Sequence, residues 1–181
     1  MDWGRVAKRI RVPLGFVFAA FFLWRAQPQW SSLAVGSVVA LSGVWIRAIS
    51  SGHVKKNEEL ATTGPYAYTR NPLYFGSIVI ATGFALAALR WEIAAVLVLM
   101  FAVIYIPVIR GEEQFLDAHF SNYADYCSQV PRLLPRLSAG SAGNSSFSPE
   151  LYRKHREYNA LLGTLAVIAA LVVKKMIWMA R

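Results

Sequence analysis

Two short polar segments carry the side chains that could do chemistry in this sequence. The first, residues 64–76, places Arg70 and Asn71 directly before Pro72. Asparagine is a favoured helix cap, proline suits the first helical turn, and a helix N-terminus beside an arginine attracts anions. We therefore predict a corner that binds a carboxylate or a phosphate. The alternative is an ordinary helix start whose arginine meets a lipid phosphate.

The second segment begins with Arg110 and an acidic pair, Glu112 and Glu113. These carboxylates could hold hydroxyls or the cationic end of a cofactor. An apolar stripe at helical spacing follows them: Leu116, Phe120, Tyr123 and Cys127. The stripe predicts an amphipathic helix over about residues 111–128, lying along a membrane surface. Both glutamates would then lie in a first helical turn, where stabilisation of the helix dipole is the competing explanation for them.

Blocks of apolar residues lie beside these two segments, and the helices that they predict would hold the segments in position. Of the 181 residues, 56% are hydrophobic and 16% are charged, whereas soluble domains have roughly 25% charged residues. The blocks predict membrane spans at about residues 10–26, 33–49, 72–90 and 92–109, and a fifth that Lys174 and Lys175 interrupt. The fifth block either crosses the bilayer or lies at its surface. The predicted fold class is all-α: a polytopic membrane helix bundle with about five transmembrane helices and a cytoplasmic amphipathic helix.

The formal net charge of +9 has a topological explanation. Most of the 19 basic residues lie in the N-terminal segment and in the loops around residues 47–72 and 110–160. Because basic loops stay in the cytoplasm, we predict an integral-membrane protein whose N-terminus and active site are cytoplasmic. Nucleic-acid binding is disfavoured, since the basic residues lie in short loops beside apolar spans rather than on one face.

The hairpin Arg90–Glu92 is so short that the third and fourth helices must be antiparallel neighbours. Their other ends would bring the Arg70 corner close to Arg110 and the two glutamates. No phosphate-binding loop, dinucleotide fingerprint or zinc-protease motif is present. Three histidines are scattered along the chain and the single cysteine excludes a multi-thiolate centre, so we expect no metal site.

The first segment matches the pattern Gly-x-Tyr-x-x-x-Arg-His-Pro-x-Tyr-x-Gly, which Gly64, Tyr66, Arg70, Pro72, Tyr74 and Gly76 carry here. The Glu-Glu pair follows, and then Phe120, Tyr123, Tyr126, Val130, Pro131 and Pro135. Over about Leu41 to Arg136 the chain therefore resembles the isoprenylcysteine carboxyl methyltransferase and phospholipid methyltransferase superfamily. The chain departs from the pattern at one position, where Asn71 replaces the family's histidine.

The resemblance implies an integral-membrane enzyme that binds S-adenosylmethionine at the cytoplasmic ends of its helices. It assigns cofactor binding to Tyr66, Arg70, Asn71, Pro72, Tyr74, Glu112 and Glu113. We expect catalytic roles for Arg110, which would orient the acceptor, and for Glu112. Asparagine can cap a helix and form hydrogen bonds, but it cannot act as a general base.

Loss of that base favours an anionic acceptor, so an isoprenylcysteine-type carboxylate on a lipophilic molecule is the expected substrate. Three alternatives stay open: N-methylation of a phospholipid amine, a non-catalytic membrane scaffold of the same fold, and an NADPH-dependent sterol-reductase-like enzyme. Expected partners are membrane lipids and a lipophilic or prenylated acceptor.

The domain organisation follows from the same patterns. Residues 1–136 form the predicted membrane core, 137–150 read as a linker rich in Ser, Gly and Ala, and 151–181 form an appended transmembrane or interfacial helix. The spacing of Ala166 and Ala170 favours packing of that helix on the bundle or on a second copy of the chain.

Overall fold

The structure, a computed structural model, describes residues 3–55, 58–138 and 146–180. These residues form helices and irregular turns, with no strand among them, so the predicted all-α class is confirmed for the described part of the chain. The elements are α1 (Trp3–Arg25), α2 (Trp30–Ser51), a 3-10 turn (Gly64–Ala67), α3 (Pro72–Ala88), α4 (Trp91–Met100), a π-helical turn (Phe101–Tyr105), α5 (Ile106–His119), α6 (Tyr123–Gln129), α7 (Pro149–Lys154) and α8 (Tyr158–Met179).

Three helical runs among the described residues are long and apolar enough to cross a bilayer: Trp30–Ser51, Trp91–His119 and Tyr158–Met179. Two shorter apolar helices, Pro13–Arg25 and Pro72–Ala88, correspond to the remaining predicted blocks. The chain is therefore built as an integral-membrane protein. It stays a prediction that all five helices cross the membrane. The direction in which each helix would cross also stays a prediction.

The amphipathic helix differs from the predicted one. Instead of a separate helix over 111–128, the helical run that begins at Trp91 continues to His119, and a short second helix covers Tyr123–Gln129. Nothing near Gly111 stops the run, because glycine weakens a helix without breaking it. The break falls at Ser121 and Asn122, whose side chains favour turns and caps.

This continuity changes the interpretation of the acidic pair. Glu112 and Glu113 lie in the body of α5, well past its first turn at Ile106. A helix dipole acts within the first and last turns only. Helix-dipole stabilisation therefore does not explain these two carboxylates.

The C-terminal region contains two helices. Within the predicted linker, residues 139–145 lie outside the described residues. The Ser148 hydroxyl accepts a hydrogen bond from the amide of Leu151 and so caps α7. Helix α8 runs through the predicted interruption at Lys174, whose ammonium group donates to the carbonyl oxygens of Leu23 and Trp24 at the end of α1.

The chain divides into two compact units. The first comprises the described residues of Met1–Ala40, Ala81–Phe115 and Leu165–Arg181. Its core is a buried apolar cluster of Phe22, Ala26, Leu33, Ala87, Ala88, Ile93 and Leu171. A salt bridge of 2.5 Å joins Arg25 and Glu92 beside this cluster. Arg25 and Lys174, two basic residues outside the segments predicted to be cytoplasmic, thus have partners within the unit.

Candidate functional site

The second compact unit, Leu41–Ile80 and Leu116–Thr164, contains the Arg70 segment. Its α2 and α3 portions meet backbone to backbone through glycine. A Cβ atom on Gly43 would lie 2.7 Å from the carbonyl oxygen of Gly76 and 2.7 Å from the amide nitrogen of Ile80. Close approach through small residues is a common way for membrane helices to pack. The motif residue Gly76 therefore has a packing function, and this contact fixes α3 against α2.

The 3-10 turn Gly64–Ala67 leads into the site. Gly64 has a positive φ of 57°, and a Cβ there would lie 2.5 Å from the His53 ring. The phenol of Tyr126 donates a hydrogen bond of 2.7 Å to the carbonyl oxygen of the buried Tyr66. Burial raises the pKa of the Tyr126 phenol above its usual range, so this group stays a protonated donor at neutral pH.

The residues after this turn pair with a segment that sequence reasoning did not connect to them. The Arg70 amide donates to the Pro131 carbonyl at 2.9 Å, and the Arg136 amide donates to the Tyr68 carbonyl at 3.0 Å. The guanidinium of Arg136 adds a bond of 3.1 Å from Nε to the carbonyl of Ala67. Residues 131–136 therefore hold the Arg70 segment in place. Pro131 and Pro135 lie within this segment. They are the sequence feature that could have indicated its fixed, extended backbone.

Thr69 forms the centre of this pairing. Its hydroxyl lies within hydrogen-bond distance of the carbonyls of Arg132, at 3.3 Å, and Leu133, at 3.0 Å. The side chain is almost fully buried. These bonds therefore tie residues 131–136 to Thr69, the residue immediately before Arg70.

We predict that Thr69→Val, which keeps the shape of the side chain and removes the hydroxyl, lowers the free energy of unfolding by about 1 kcal/mol. The loss is moderate because the Arg132 carbonyl keeps a second donor, Asn71. Thermal unfolding in detergent measures it. Thr62→Val, a half-buried threonine before the turn, is the matched control. Equal unfolding midpoints for the two variants would contradict the prediction.

Arg70 lies half-buried beside α6. Its Nη1 donates to the phenol oxygen of Tyr123 at 3.5 Å and to the sulfur of Cys127. The predicted apolar stripe is confirmed as a packed cluster around Tyr123, Tyr126 and Val130, with Leu116, Phe120 and Cys127 against it. Tyr123 and Cys127, two residues of that cluster, therefore set the direction of the Arg70 guanidinium.

Helix α3 begins at Pro72, as predicted. Asn71 takes the cap position, since its carbonyl accepts the first helical bond, from the Phe75 amide at 3.0 Å. Its side-chain amide donates to the Arg132 carbonyl at 2.9 Å. The residue that replaces the family's histidine thus helps hold residues 131–136. Tyr74 is half-buried in the first turn of α3.

The remaining predicted site residues belong to the first compact unit. Arg110 and Glu112 are exposed on α5, and Glu113 is half-buried. All three fall within two turns of one helix. That they approach Arg70 stays a prediction.

In the sequence, Arg47 is one of the basic residues that predict topology, and nothing there indicates another role. In the structure it forms a two-pronged ion pair with Glu157, with Nε–Oε2 at 3.1 Å and Nη2–Oε1 at 2.6 Å. Glu157 is 110 residues away along the chain. No spacing rule could have joined these two residues.

Among the described residues, no group of three or more His, Cys, Asp or Glu side chains is placed to hold a metal ion. Two of the three histidines lie against backbone carbonyls: His53 Nδ1 is 2.9 Å from the carbonyl oxygen of Ile49, and His155 Nδ1 is 3.1 Å from that of Ser51.

The chain matches the phospholipid methyltransferase family over residues 31–123. The match begins in α2, includes the Arg70 segment and the acidic pair, and ends at Tyr123. It therefore starts earlier and ends earlier than the resemblance read from the motifs, which extends to Arg136.

Two curated relatives are similar to the chain. The nickel-cobalt-cadmium resistance protein NccN of Alcaligenes xylosoxydans xylosoxydans is 35% identical over 137 residues, which cover 71% of this chain and 63% of NccN. The cobalt-zinc-cadmium resistance protein CzcN of Cupriavidus metallidurans is 36% identical over 102 residues, which cover 56% of this chain and 46% of CzcN. The chain thus spans less than two thirds of either relative's length. No solved structure matches it.

Proposed function

The chain belongs to the phospholipid methyltransferase family, and from that premise we propose that it is an S-adenosylmethionine-dependent methyltransferase acting on a lipophilic acceptor at the membrane. The observation that carries the proposal is the extent of the family match, which includes both polar segments. Among lipophilic acceptors we favour an isoprenylcysteine-type carboxylate.

The chemistry of the donor set fits the cofactor's carboxylate. Arg70 supplies a permanent positive charge directly before the N-terminus of a 17-residue helix. A helix N-terminus adds N–H groups and a favourable dipole for an anion. The carbonyl group of the Asn71 side chain can accept a bond from a neighbouring amino group. Tyr66, Pro72 and Tyr74 would shape the surrounding wall, and Glu112 and Glu113 would bind hydroxyl or amino groups.

When bound, the cofactor supplies an electrophilic methyl group on a sulfonium. Arg70 and Asn71 would hold the cofactor, whose conversion to a neutral thioether would release that methyl group to the acceptor. The protein's task is to align the two reactants and to exclude water. A carboxylate is already nucleophilic at neutral pH, whereas an ammonium must first lose a proton. Asn71 removes one candidate base, which favours the carboxylate. Arg110 would orient the acceptor's charge, and Glu112 could still serve as a base.

Purified protein in detergent, supplied with S-adenosylmethionine labelled at the methyl group, tests the acceptor class. We expect label in a prenylcysteine analogue and much less in phosphatidylethanolamine. The reverse preference would identify a phospholipid amine methyltransferase. Cofactor binding without transfer to any lipid would support the non-catalytic scaffold, and NADPH-dependent reduction of a sterol would support the reductase.

The names of the two relatives favour a second, physiological role: a contribution to resistance against cobalt, zinc, cadmium or nickel. In this role the chain would modify a membrane component and would not itself need to bind the metal. Expression in a metal-sensitive bacterial strain tests it. We expect growth at higher cobalt or cadmium concentrations with the wild-type chain than with the Arg70→Gln variant. Equal growth with both would argue against a role that depends on catalysis.

A further inference from the structure

Arg47 lies in the last turns of α2 and is largely withdrawn from solvent. Its side chain is 22% exposed, and that of its partner Glu157 is 12% exposed. The carboxylate engages the guanidinium through both oxygens. Paired bonds between an arginine and a carboxylate fix orientation as well as charge. Glu157 therefore determines where the Arg47 guanidinium points.

The other side of the Arg47 guanidinium contacts the first turns of α3. Its Nη1 donates to the Ser77 hydroxyl at 2.6 Å and to the Leu73 carbonyl at 3.2 Å. The Ser77 hydroxyl also bonds to the same carbonyl, at 3.0 Å. Leu73 lies three residues after Arg70. The network therefore ends in the first turn of α3, which directly follows the Arg70 corner. Glu157, Arg47, Ser77 and Arg70 all belong to one compact unit.

Glu157 is itself held firmly. It ends the turn between α7 and α8, where Arg156 adopts a positive φ of 54°. Its amide lies 3.4 Å from the Tyr152 carbonyl. The ring nitrogen of the nearby His155 lies 3.1 Å from the Ser51 carbonyl at the end of α2. The His155 contact therefore fastens the C-terminal segment to the end of α2, beside the ion pair.

We infer that Glu157 is a positioning residue: acting through Arg47, it holds the first turns of α3 and hence the Arg70 corner in the geometry that binds the cofactor. The inference rests on the proposed function. A largely buried arginine that loses its carboxylate partner is drawn to lipid phosphate or water. Its bonds to Leu73 and Ser77 are then lost or weakened. The C-terminal segment, which lies beyond the family match, thereby completes the site.

Binding of labelled S-adenosylmethionine to the full-length protein in detergent, measured by equilibrium dialysis, tests this role. We expect Glu157→Gln to weaken binding by about tenfold, the equivalent of one charge-assisted bond. Ser77→Ala, which leaves the ion pair intact, is expected to weaken binding by roughly two- to fivefold. In steady-state assays both variants should raise KM for the cofactor and leave KM for the acceptor unchanged.

Glu58→Gln is the matched control. It removes the exposed ion pair of 3.5 Å with Lys154, which joins the same C-terminal segment to the loop that follows α2. Its affinity should stay within about twofold of wild type. Wild-type affinity in folded Glu157→Gln and Ser77→Ala would overturn the inference, even if their thermal midpoints fell. If Glu157→Gln does not fold, Ser77→Ala decides alone. A wild-type chain that binds no cofactor contradicts the proposed function and this inference together.

Discussion

Replacing Arg70 with glutamine is expected to reduce methyl transfer by about a hundredfold or more. Under the proposed function, the change removes the positive charge that would bind the cofactor's carboxylate. Hydrogen bonds to charged groups contribute about 1.5–3 kcal/mol each, and the loss of two such bonds corresponds to roughly a hundredfold or more in affinity. Initial rates at varied S-adenosylmethionine concentrations measure the effect, which should appear mainly as a raised KM for the cofactor.

Arg70 also contacts Tyr123 and Cys127, so the variant's thermal midpoint must be recorded beside its kinetics. Arg153→Gln, a change of the same type at an exposed position in α7, should leave KM unaltered. A folded Arg70→Gln protein with wild-type KM would show that the cofactor's carboxylate binds elsewhere.

Gly43→Val is expected to destabilise the protein at the top of the range for overpacking, about 3 kcal/mol. The new side chain would meet backbone atoms of Gly76 and Ile80, which cannot move aside without separating α2 from α3. For a chain of this size the loss lowers the unfolding midpoint by about 6–12 °C. Calorimetry or intrinsic fluorescence during heating in detergent measures it.

The matched control is Gly163→Val in α8, where, apart from the adjacent residues and the helix's own backbone, nothing lies within 4 Å of the added Cβ. Because glycine disfavours helix, that change should leave the midpoint unchanged or raise it slightly. Comparing the two variants therefore separates the effect of the contact between α2 and α3 from the effect of helix propensity. Similar midpoints for both would mean that α2 and α3 are not packed through Gly43.

Much of the fold could be predicted from local sequence. The apolar blocks coincide with the helices because a bilayer-spanning segment needs uninterrupted apolar length. The start of α3 at Pro72 follows from proline's fixed φ and missing amide hydrogen. The break within the amphipathic segment could not be placed, since the stripe from Leu116 to Cys127 keeps helical spacing across a turn. Periodicity reports which side chains are buried together and is insensitive to such a break.

At the candidate site, the start of α3 could be predicted because the residues that form it are neighbours in the sequence. Arg70, Asn71 and Pro72 are adjacent, so their types and order indicate an anion-binding helix start. The partners that hold them are distant along the chain. The hydroxyl of Thr69 bonds to the backbone carbonyls of Arg132 and Leu133, and such acceptors are present at every residue and leave no mark in the sequence. Long-range pairs of this kind are set by tertiary packing, which sequence periodicity does not encode.

Whether the purified wild-type chain binds S-adenosylmethionine is the most direct test of the methyltransferase assignment. Isothermal titration calorimetry in detergent measures it without knowledge of the acceptor. We expect saturable binding of about one cofactor per chain, with a dissociation constant in the range of enzyme–substrate affinities, roughly 1 μM to 1 mM. A folded wild-type chain that gives no binding heat over that concentration range, and retains no labelled cofactor in dialysis, would contradict the assignment at its first step.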